Sequence, residues 1–433
     1  MTQYRSAFCS VGWPLHPGRS GGEIRDFHLL RHLLTLSRVE FFALNGFNAD
    51  GRVDALRPFV DALHTPETVT PPPPVADDPE AAFSLGAWIR AHLRRRNLPF
   101  WGARYAWDTE AQRPNLRLLR PLLEETLARL DPDFFFVSPQ TNPVALFVEM
   151  RTKARRIMAS YDVEAVRLER FVQSSHGLRK LALGLEARRA ARFERENLAY
   201  FDGVIAVSAL DRAVFVERYG LAPERVLVIE NGVDPEYFAF QDRPSRTGAG
   251  DDLHVVFVGA LSYLPNEQAA WRLIDRVMPM VRRVRPQARL SLVGQGASEA
   301  LRARHDGRST IVTGTVPDVR PYLAGADVAC MPLASGSGTK YKVLEALSAG
   351  LPVVCTPLAT EGLPLESGRH LLVEETDEGL AGAILRVMDD PALARRLAEE
   401  GRREVEARHS WDANLPRLGG WLEQLRSMPR RAS

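Results

Sequence analysis

The segment Ala334–Thr356, ASGSGTKYKVLEALSAGLPVVCT, gathers small residues, hydroxyls and two cations where a strand hands over to a helix. An apolar run, Asp327–Leu333, leads into Ser335-Gly336-Ser337-Gly338-Thr339; helical spacing starts near Thr339, and a second apolar run follows Gly350. The backbone N–H groups of such a loop, together with a helix start, bind anions. Lys340 and Lys342 bring two positive charges to that end, and Thr339 adds a hydroxyl. Cations at a helix start oppose its dipole and cost a few tenths of a kcal/mol. Of the 56 basic residues only four are lysines (Lys153, Lys180, Lys340 and Lys342), and two of the four stand here. A bound diphosphate accounts for that placement; an exposed Gly/Ser turn with two solvated lysines is the alternative. Glu345, one turn on, either accepts hydrogen bonds from sugar or ribose hydroxyls or forms a surface i, i+3 pair with Lys342 worth ~0.3 kcal/mol.

A second group lies in the first half. Gly21 and Gly22 precede a helix carrying Ile24, Phe27, Leu29 and Leu30. Small residues let a sugar or phosphate approach the backbone, or serve a tight turn with positive φ. Arg25 and His28 reach out from the first helical turns as acceptor-side candidates, with a packing role as the other reading of His28. Asp162 and Glu164 follow the apolar run Arg156–Tyr161, at the strand end where α/β sheets place their sites. Their structural alternatives are a helix cap for Asp162 and an i+3 pair with Arg167 for Glu164. Asp131-Pro132-Asp133 sits before a strand and reads as a turn. The ten histidines make no HxH or HExxH cluster, and the cysteines Cys9, Cys330 and Cys355 are far apart, so no metal is expected.

Short apolar runs recur along the chain and would position these residues. They include Arg5–Val11, Val39–Leu44, Phe134–Ser138, Val204–Ser208, Val226–Ile229, His254–Gly259, Leu290–Gly294, Thr310–Gly314 and Leu371–Val373. They lack strict alternation, as strands buried on both faces of a parallel sheet do. Helical spacing fills gaps between them, clearly over Gln268–Val284 and Tyr341–Ala349. Strand–helix alternation over this length predicts doubly wound α/β folding. The polar, breaker-rich Gln241–Asp252 predicts a linker. The expected organisation is a domain over 1–240, a linker over 241–252, a second domain over 253–409, and an amphipathic helix over 410–433 packing across the domain junction.

The chain has 433 residues, 45% hydrophobic and 25% charged, with a net charge of +2. That profile excludes a disordered chain and argues against a nucleic-acid binder. No apolar stretch approaches the ~18 residues that span a membrane. The N-terminal residues lack signal-peptide order, and the thiols read as buried and reduced, so a cytoplasmic location is expected. Leu85–Trp107 mixes Trp and Tyr with five arginines; it suits an anionic membrane interface, or else a helical pair with solvated arginines.

The Ala334–Thr356 segment resembles the second domain of family 4 glycosyltransferases, which have the GT-B fold: α/β, two Rossmann-like doubly wound domains facing across a cleft. That family carries a Glu-x7-Glu motif here. Its second Glu matches Glu345 in LEALSAGLPVV, while its first falls on Ser337. Gly336–Ala346 is similar to a variant, GSGT(K/R)xKxLEA, found among transferases of exopolysaccharide clusters. Arg225–Asp234 (RVLVIENGVD), Phe257–Asn266 (FVGALSYLPN), Thr313–Asp318 (TGTVPD), Ser20–His28 (SGGEIRDFH), Asp162–Arg170, Ala206–Arg212 and Arg402–Asp412 resemble further family segments in order along the chain. The family's phosphate-binding Arg and Lys would fall on Ala260 and Pro265, so Lys340 and Lys342 are expected to supply that charge.

The resemblance implies a sugar transferred from a UDP- or GDP-linked donor to an acceptor hydroxyl, with retention and without a cofactor or metal. Lys340, Lys342 and Glu345 are the catalytic candidates. Gly259, Val316, Ser337, Gly338, Thr339 and Glu361 are the donor-side set, with the base held near Val316. The implied acceptor is a glycan, a lipid-linked glycan or a related envelope precursor, with contact at the inner membrane face through Leu85–Trp107. The rival readings are a nucleotide-sugar epimerase or a sucrose/glycogen-type synthase of the same fold, and a non-catalytic nucleotide-sugar-binding subunit suggested by Ser337.

Overall fold

The computed structural model describes residues 4–10, 21–43, 56–65, 119–138, 152–173, 175–241, 253–335 and 341–430. The chain divides into two compact units: one runs up to Ile229 and takes in Leu415 onward, and the other is Glu230–Asn414.

The first unit is built on seven strands: β1 (Tyr4–Ser10), β2 (Ser37–Ala43), β3 (Ala62–His64), β4 (Phe134–Ser138), β5 (Arg155–Ala159), β6 (Gly203–Ala206) and β7 (Val226–Val228). They pair in parallel in the order β3-β2-β1-β4-β5-β6-β7. A central strand of such a sheet has no wet face, and β4, FFFVS, is buried at every residue. The Phe8 ring meets Phe41 and Phe136 at centroid distances of 5.4 and 5.8 Å. The helix Gly21–Leu36 buries Leu29, Leu30 and Leu33. Asp131-Pro132-Asp133 is the turn into β4. Asp131 has a φ of 40°, and the Asp133 carboxylate accepts from the Arg5 N–H at 3.0 Å.

The second unit has six strands: β8 (His254–Val258), β9 (Arg289–Val293), β10 (Thr310–Val312), β11 (Val328–Met331), β12 (Val353–Cys355) and β13 (Leu372–Val373). All pairs are parallel, in the order β10-β9-β8-β11-β12-β13. Phe257, Leu292, Cys330 and Val354 join Leu344 and Leu347 of the helix Tyr341–Ser348 in one core. The expected helix over 268–284 starts earlier, at Leu264, where Pro265 fits the first turn without losing a hydrogen bond, and passes through a wider turn at Leu273–Val277. Cys9, Cys330 and Cys355 are free buried thiols, pushed up by burial.

Two boundaries differ from the sequence expectation. Residues 230–240 belong with the second unit. Val233 bridges Ser410, Phe238 lies in the second core, and the Arg402 guanidinium donates to the Phe238 and Pro235 carbonyls at 2.7 and 3.0 Å. The C-terminal segment is divided as well. Pro416 separates the short helix Trp411–Asn414 from the helix Arg417–Ser427. The latter docks on the first unit, where Trp421 Nε1 donates to the Glu224 carbonyl at 3.0 Å and a Cβ at Gly203 would meet the Trp421 ring at 2.7 Å. Apart from Gln241 the expected linker lies outside the described residues, as does Leu85–Trp107. Among the described residues no helix is long and apolar enough to cross a membrane.

Candidate functional site

In the second sheet, β8, β9 and β10 run to one side and β11, β12 and β13 to the other. The loops leaving the carboxyl ends of β8 and β11 therefore diverge, and doubly wound sheets bind ligands at that switch point. Two of the sequence candidates meet there. Lys342, on the first turn of Tyr341–Ser348, donates through Nζ to Asn266 Oδ1, and its Nζ sits 5.1 Å from the Phe257 ring centroid. Asn266 is itself fixed, since its Nδ2 donates to the Ala260 carbonyl at 2.8 Å. The β11 loop is tied to the β8 side a second time, by Ser335 Oγ donating to Gln268 Oε1 at 2.8 Å.

Glu345 lies one turn beyond Lys342 and is half-buried. Burial pushes its carboxyl up to about 7, with the Lys342 charge acting in the opposite direction. A cation held in place next to a carboxyl that is part-protonated near neutrality suits one anionic group and one hydroxyl-bearing group.

Close backbone approach explains the glycines. Gly294, with a φ of 150°, lies so near the β8 loop that a Cβ would fall 2.0 Å from the Gly259 carbonyl oxygen. A Cβ at Gly259 would meet the Asn266 amide at 2.9 Å. Gly259 thus seats the residue that holds Lys342. Val316, after β10, is half-buried against the core, and Glu361 is exposed in the turn after Pro357–Thr360. Ser337, Gly338, Thr339 and Lys340 lie outside the described residues.

The first sheet reverses its order between β1 and β4. Here the structure holds a cluster that sequence reasoning missed. Asp26 is fully buried. Its carboxylate accepts from Ser10 Oγ at 2.5 Å, from Ser138 Oγ at 2.6 Å and from the Tyr161 hydroxyl. Ser138 Oγ also lies 2.7 Å from the Tyr161 hydroxyl. Ser10 and Ser138 are the last residues of β1 and β4, and a run ending on Ser at both central strands was the available signal. Gly22 belongs to the same place, because a Cβ there would meet the Tyr161 ring at 2.8 Å. Gly22 has no positive φ, so ring packing, not a turn, requires glycine. Gly21 opens the same helix.

The remaining acceptor-side candidates have structural partners. Arg25 corrects the expectation of a side chain reaching outward. It is 2% exposed and donates from Nη1 to the Ile229 carbonyl at 2.8 Å and from Nη2 to the Ala206 carbonyl at 3.4 Å. His28 is buried, with its ring edge-to-face with Phe27. Asp162 Oδ1 accepts from the Val163 N–H at 2.9 Å. Glu164 is buried and pairs with Arg167, Nε to Oε2 being 2.6 Å. Among the described residues no three His, Cys, Asp or Glu side chains gather as metal ligands.

Burial pushes the Asp26 carboxyl up to about 6, against the pull of its three hydroxyl donors and the Arg25 charge. The sign for stability follows. Between the ordinary carboxylate range and about 6 the folded state holds a proton that the unfolded state has lost. The stabilising contribution is therefore complete at low pH and disappears as pH rises through that window, a loss on the order of 2–3 kcal/mol. Asp26→Asn is expected to flatten this part of the curve, measured by urea unfolding at pH 4.5, 5.5 and 7; an unchanged slope would assign the pH dependence to other groups.

Two doubly wound parallel sheets, each with its polar groups at the switch point, make this a GT-B protein. Residues 20–237, half of the chain, match Glycosyltransferase Family 4, and residues 252–390 match Glycosyl transferases group 1. The chain belongs to this glycosyltransferase family. It is similar to the glycogen synthase of Mycobacterium tuberculosis, 28% identical over 224 residues that cover 48% of this chain and 51% of that one. The chain thus spans about half the length of that curated relative. Among solved structures, sucrose-phosphate synthase from Thermosynechococcus elongatus aligns with a TM-score of 0.68 at 17% identity, covering 98% of this chain and 99% of the other. Anabaena HepE in complex with UDP-glucose aligns with a TM-score of 0.62 at 14% identity, covering 98% and 100%.

Proposed function

We propose that the chain transfers a hexose from a UDP- or GDP-linked sugar to a hydroxyl of a glycan, lipid-linked glycan or related cell-envelope precursor, as an exopolysaccharide-type transferase. The transfer retains configuration and proceeds without a cofactor or metal ion, in the cytoplasm and at the inner membrane face. The observation that carries the reading is Lys342, held by Asn266 and the Phe257 ring at the switch point with Glu345 one turn on. Its Nζ neutralises charge developing on the leaving diphosphate, and Lys340, two residues earlier in the sequence, adds a second positive charge. Glu345 accepts from ribose or sugar hydroxyls. Acceptor recognition falls to the first unit.

A nucleotide screen by thermal shift tests this. UDP or GDP is expected to stabilise the chain by about 2.7 kcal/mol at a hundredfold excess over Kd, a shift of a few degrees, with ADP inert. No shift with any nucleotide overturns the reading in favour of a scaffold. The relatives' names keep a synthase-type reaction as the second reading. Product analysis with UDP-glucose separates the two, since a soluble sucrose- or glycogen-type product would displace the envelope acceptor.

A further inference from the structure

Arg320 is fixed at more points than an exposed cation needs. Its guanidinium carbon sits 4.0 Å from the centroid of the Tyr237 ring. Its Nε donates to the two Asp318 carboxylate oxygens at 3.0 and 2.9 Å, and its Nη2 lies 2.7 Å from Asp318 Oδ2. Its Nη1 donates to the Tyr237 carbonyl at 3.4 Å. The Asp318 carboxylate also accepts from the Arg320 backbone N–H at 2.9 Å. The Arg320 side chain holds that carboxyl below its ordinary range. An exposed ion pair adds little to stability, so folding does not account for the arrangement. Tyr237 is half-buried. Burial pushes its hydroxyl up, the Asp318 and Glu345 carboxylates push the same way, and the Arg320 charge opposes them. The hydroxyl therefore stands in the field of Glu345. Within the second unit, polar groups thus run in series from Lys342 to Glu345, Tyr237 and the Arg320–Asp318 pair.

We propose that the Arg320–Asp318 pair, stacked on Tyr237, selects uracil over guanine as the base of the nucleotide donor. The inference rests on the transfer reading, which puts diphosphate at Lys342 and ribose at Glu345. The base then falls at the far end of the series. A planar guanidinium stacks on flat rings, and Arg320, with one face on Tyr237 and 45% of its side chain exposed, presents such a plane. Of its five N–H donors, Nε–H and one on each Nη are spent on Asp318 and Tyr237. One N–H remains on each Nη, and both suit a base carbonyl. Guanine has a carbonyl, but beside it stands a row of donors, N1–H and the N2 amino group. A free carboxylate would accept both in a bidentate pair. Arg320 already occupies both oxygens of Asp318, so guanine would leave that edge unpaired. Uracil brings two carbonyls and a single ring N–H, and leaves less unmet.

Calorimetric titration of the full chain with UDP and with GDP tests this. UDP is expected to bind at least about tenfold more tightly, the discrimination carried by one bidentate edge. Arg320→Met releases the Asp318 carboxylate and is expected to move the ratio of the two dissociation constants toward GDP by about tenfold. Adding Asp318→Asn keeps an acceptor for the backbone N–H but removes the carboxylate, and is expected to cancel that gain in GDP binding. Arg320 is exposed and Asp318→Asn is nearly isosteric, so the melting curves should match the wild type. A change of preference is a readout that a merely structural ion pair would not move. GDP binding as tightly as UDP in the wild-type chain, or a ratio unchanged in Arg320→Met, overturns the proposal and leaves the transfer reading standing. Binding of neither nucleotide overturns the transfer reading and the proposal with it.

Discussion

Replacing Lys342 with methionine is expected to lower kcat by about 10²–10³-fold, the usual cost of one group aimed at developing negative charge. The fold should survive. Methionine keeps the stem and places a thioether against Phe257, where sulfur–ring contact is favourable. The structural loss is the bond to Asn266 Oδ1, and a buried acceptor left without its donor costs about 1–3 kcal/mol. Asn266→Ala separates positioning from charge. It keeps Lys342 but takes away the Asn266 Oδ1 acceptor of its Nζ, and removes the bond to Ala260. The expected effect is therefore smaller on kcat and larger on stability. Steady-state kinetics at saturating acceptor, with calorimetric nucleotide binding, checks both. An unchanged kcat in Lys342→Met removes Lys342 from the reaction machinery whatever happens to donor affinity.

The strands of this fold were legible because parallel strands are apolar on both faces. Phe134–Ser138 is the same segment in sequence and structure, and His254–Gly259 overshoots β8 by one residue. β3, Ala62–His64, was not visible, since an edge strand of three residues carries too little pattern to stand out from its surroundings. Lys342 and Glu345 could be read because rare lysines at a helix start break a local rule. Asn266, which holds Lys342, could not: the two are 76 residues apart, and their meeting depends on β8 lying beside β11. Asp26 was hidden differently. It stands in SGGEIRDFH between two residues, Arg25 and His28, whose types look more reactive. Its partners come from three strand ends that only the sheet order brings together. The same blind spot misjudged Arg25, because a cation near glycines reads as a ligand contact until the carbonyls it serves are seen.

Arg25→Met is accordingly expected to act on stability, with a loss of about 3–5 kcal/mol near neutral pH, as when one member of a buried charge pair is removed. Three effects combine. The Ile229 and Ala206 carbonyls lose a donor that ties the Gly21–Leu36 helix to the ends of β6 and β7. The buried Asp26 carboxylate loses its nearby positive charge, and so does Asp211, whose own carboxyl burial already pushes up. The Asp26 share is conditional on ionisation. Below about pH 5 that carboxyl is protonated in the folded chain, because burial holds it near 6, and the missing cation matters less. The penalty should therefore be smaller at pH 5 than at pH 8. Asp26→Asn in the same chain should remove most of that pH dependence, giving a coupling of about 0.5–3 kcal/mol in a double-mutant cycle. Urea titrations of the two single variants and the double variant at both pH values measure every term. A variant that unfolds at the wild-type urea midpoint but has lost turnover would instead make Arg25 a ligand contact, and would require its guanidinium to leave the two carbonyls during the reaction.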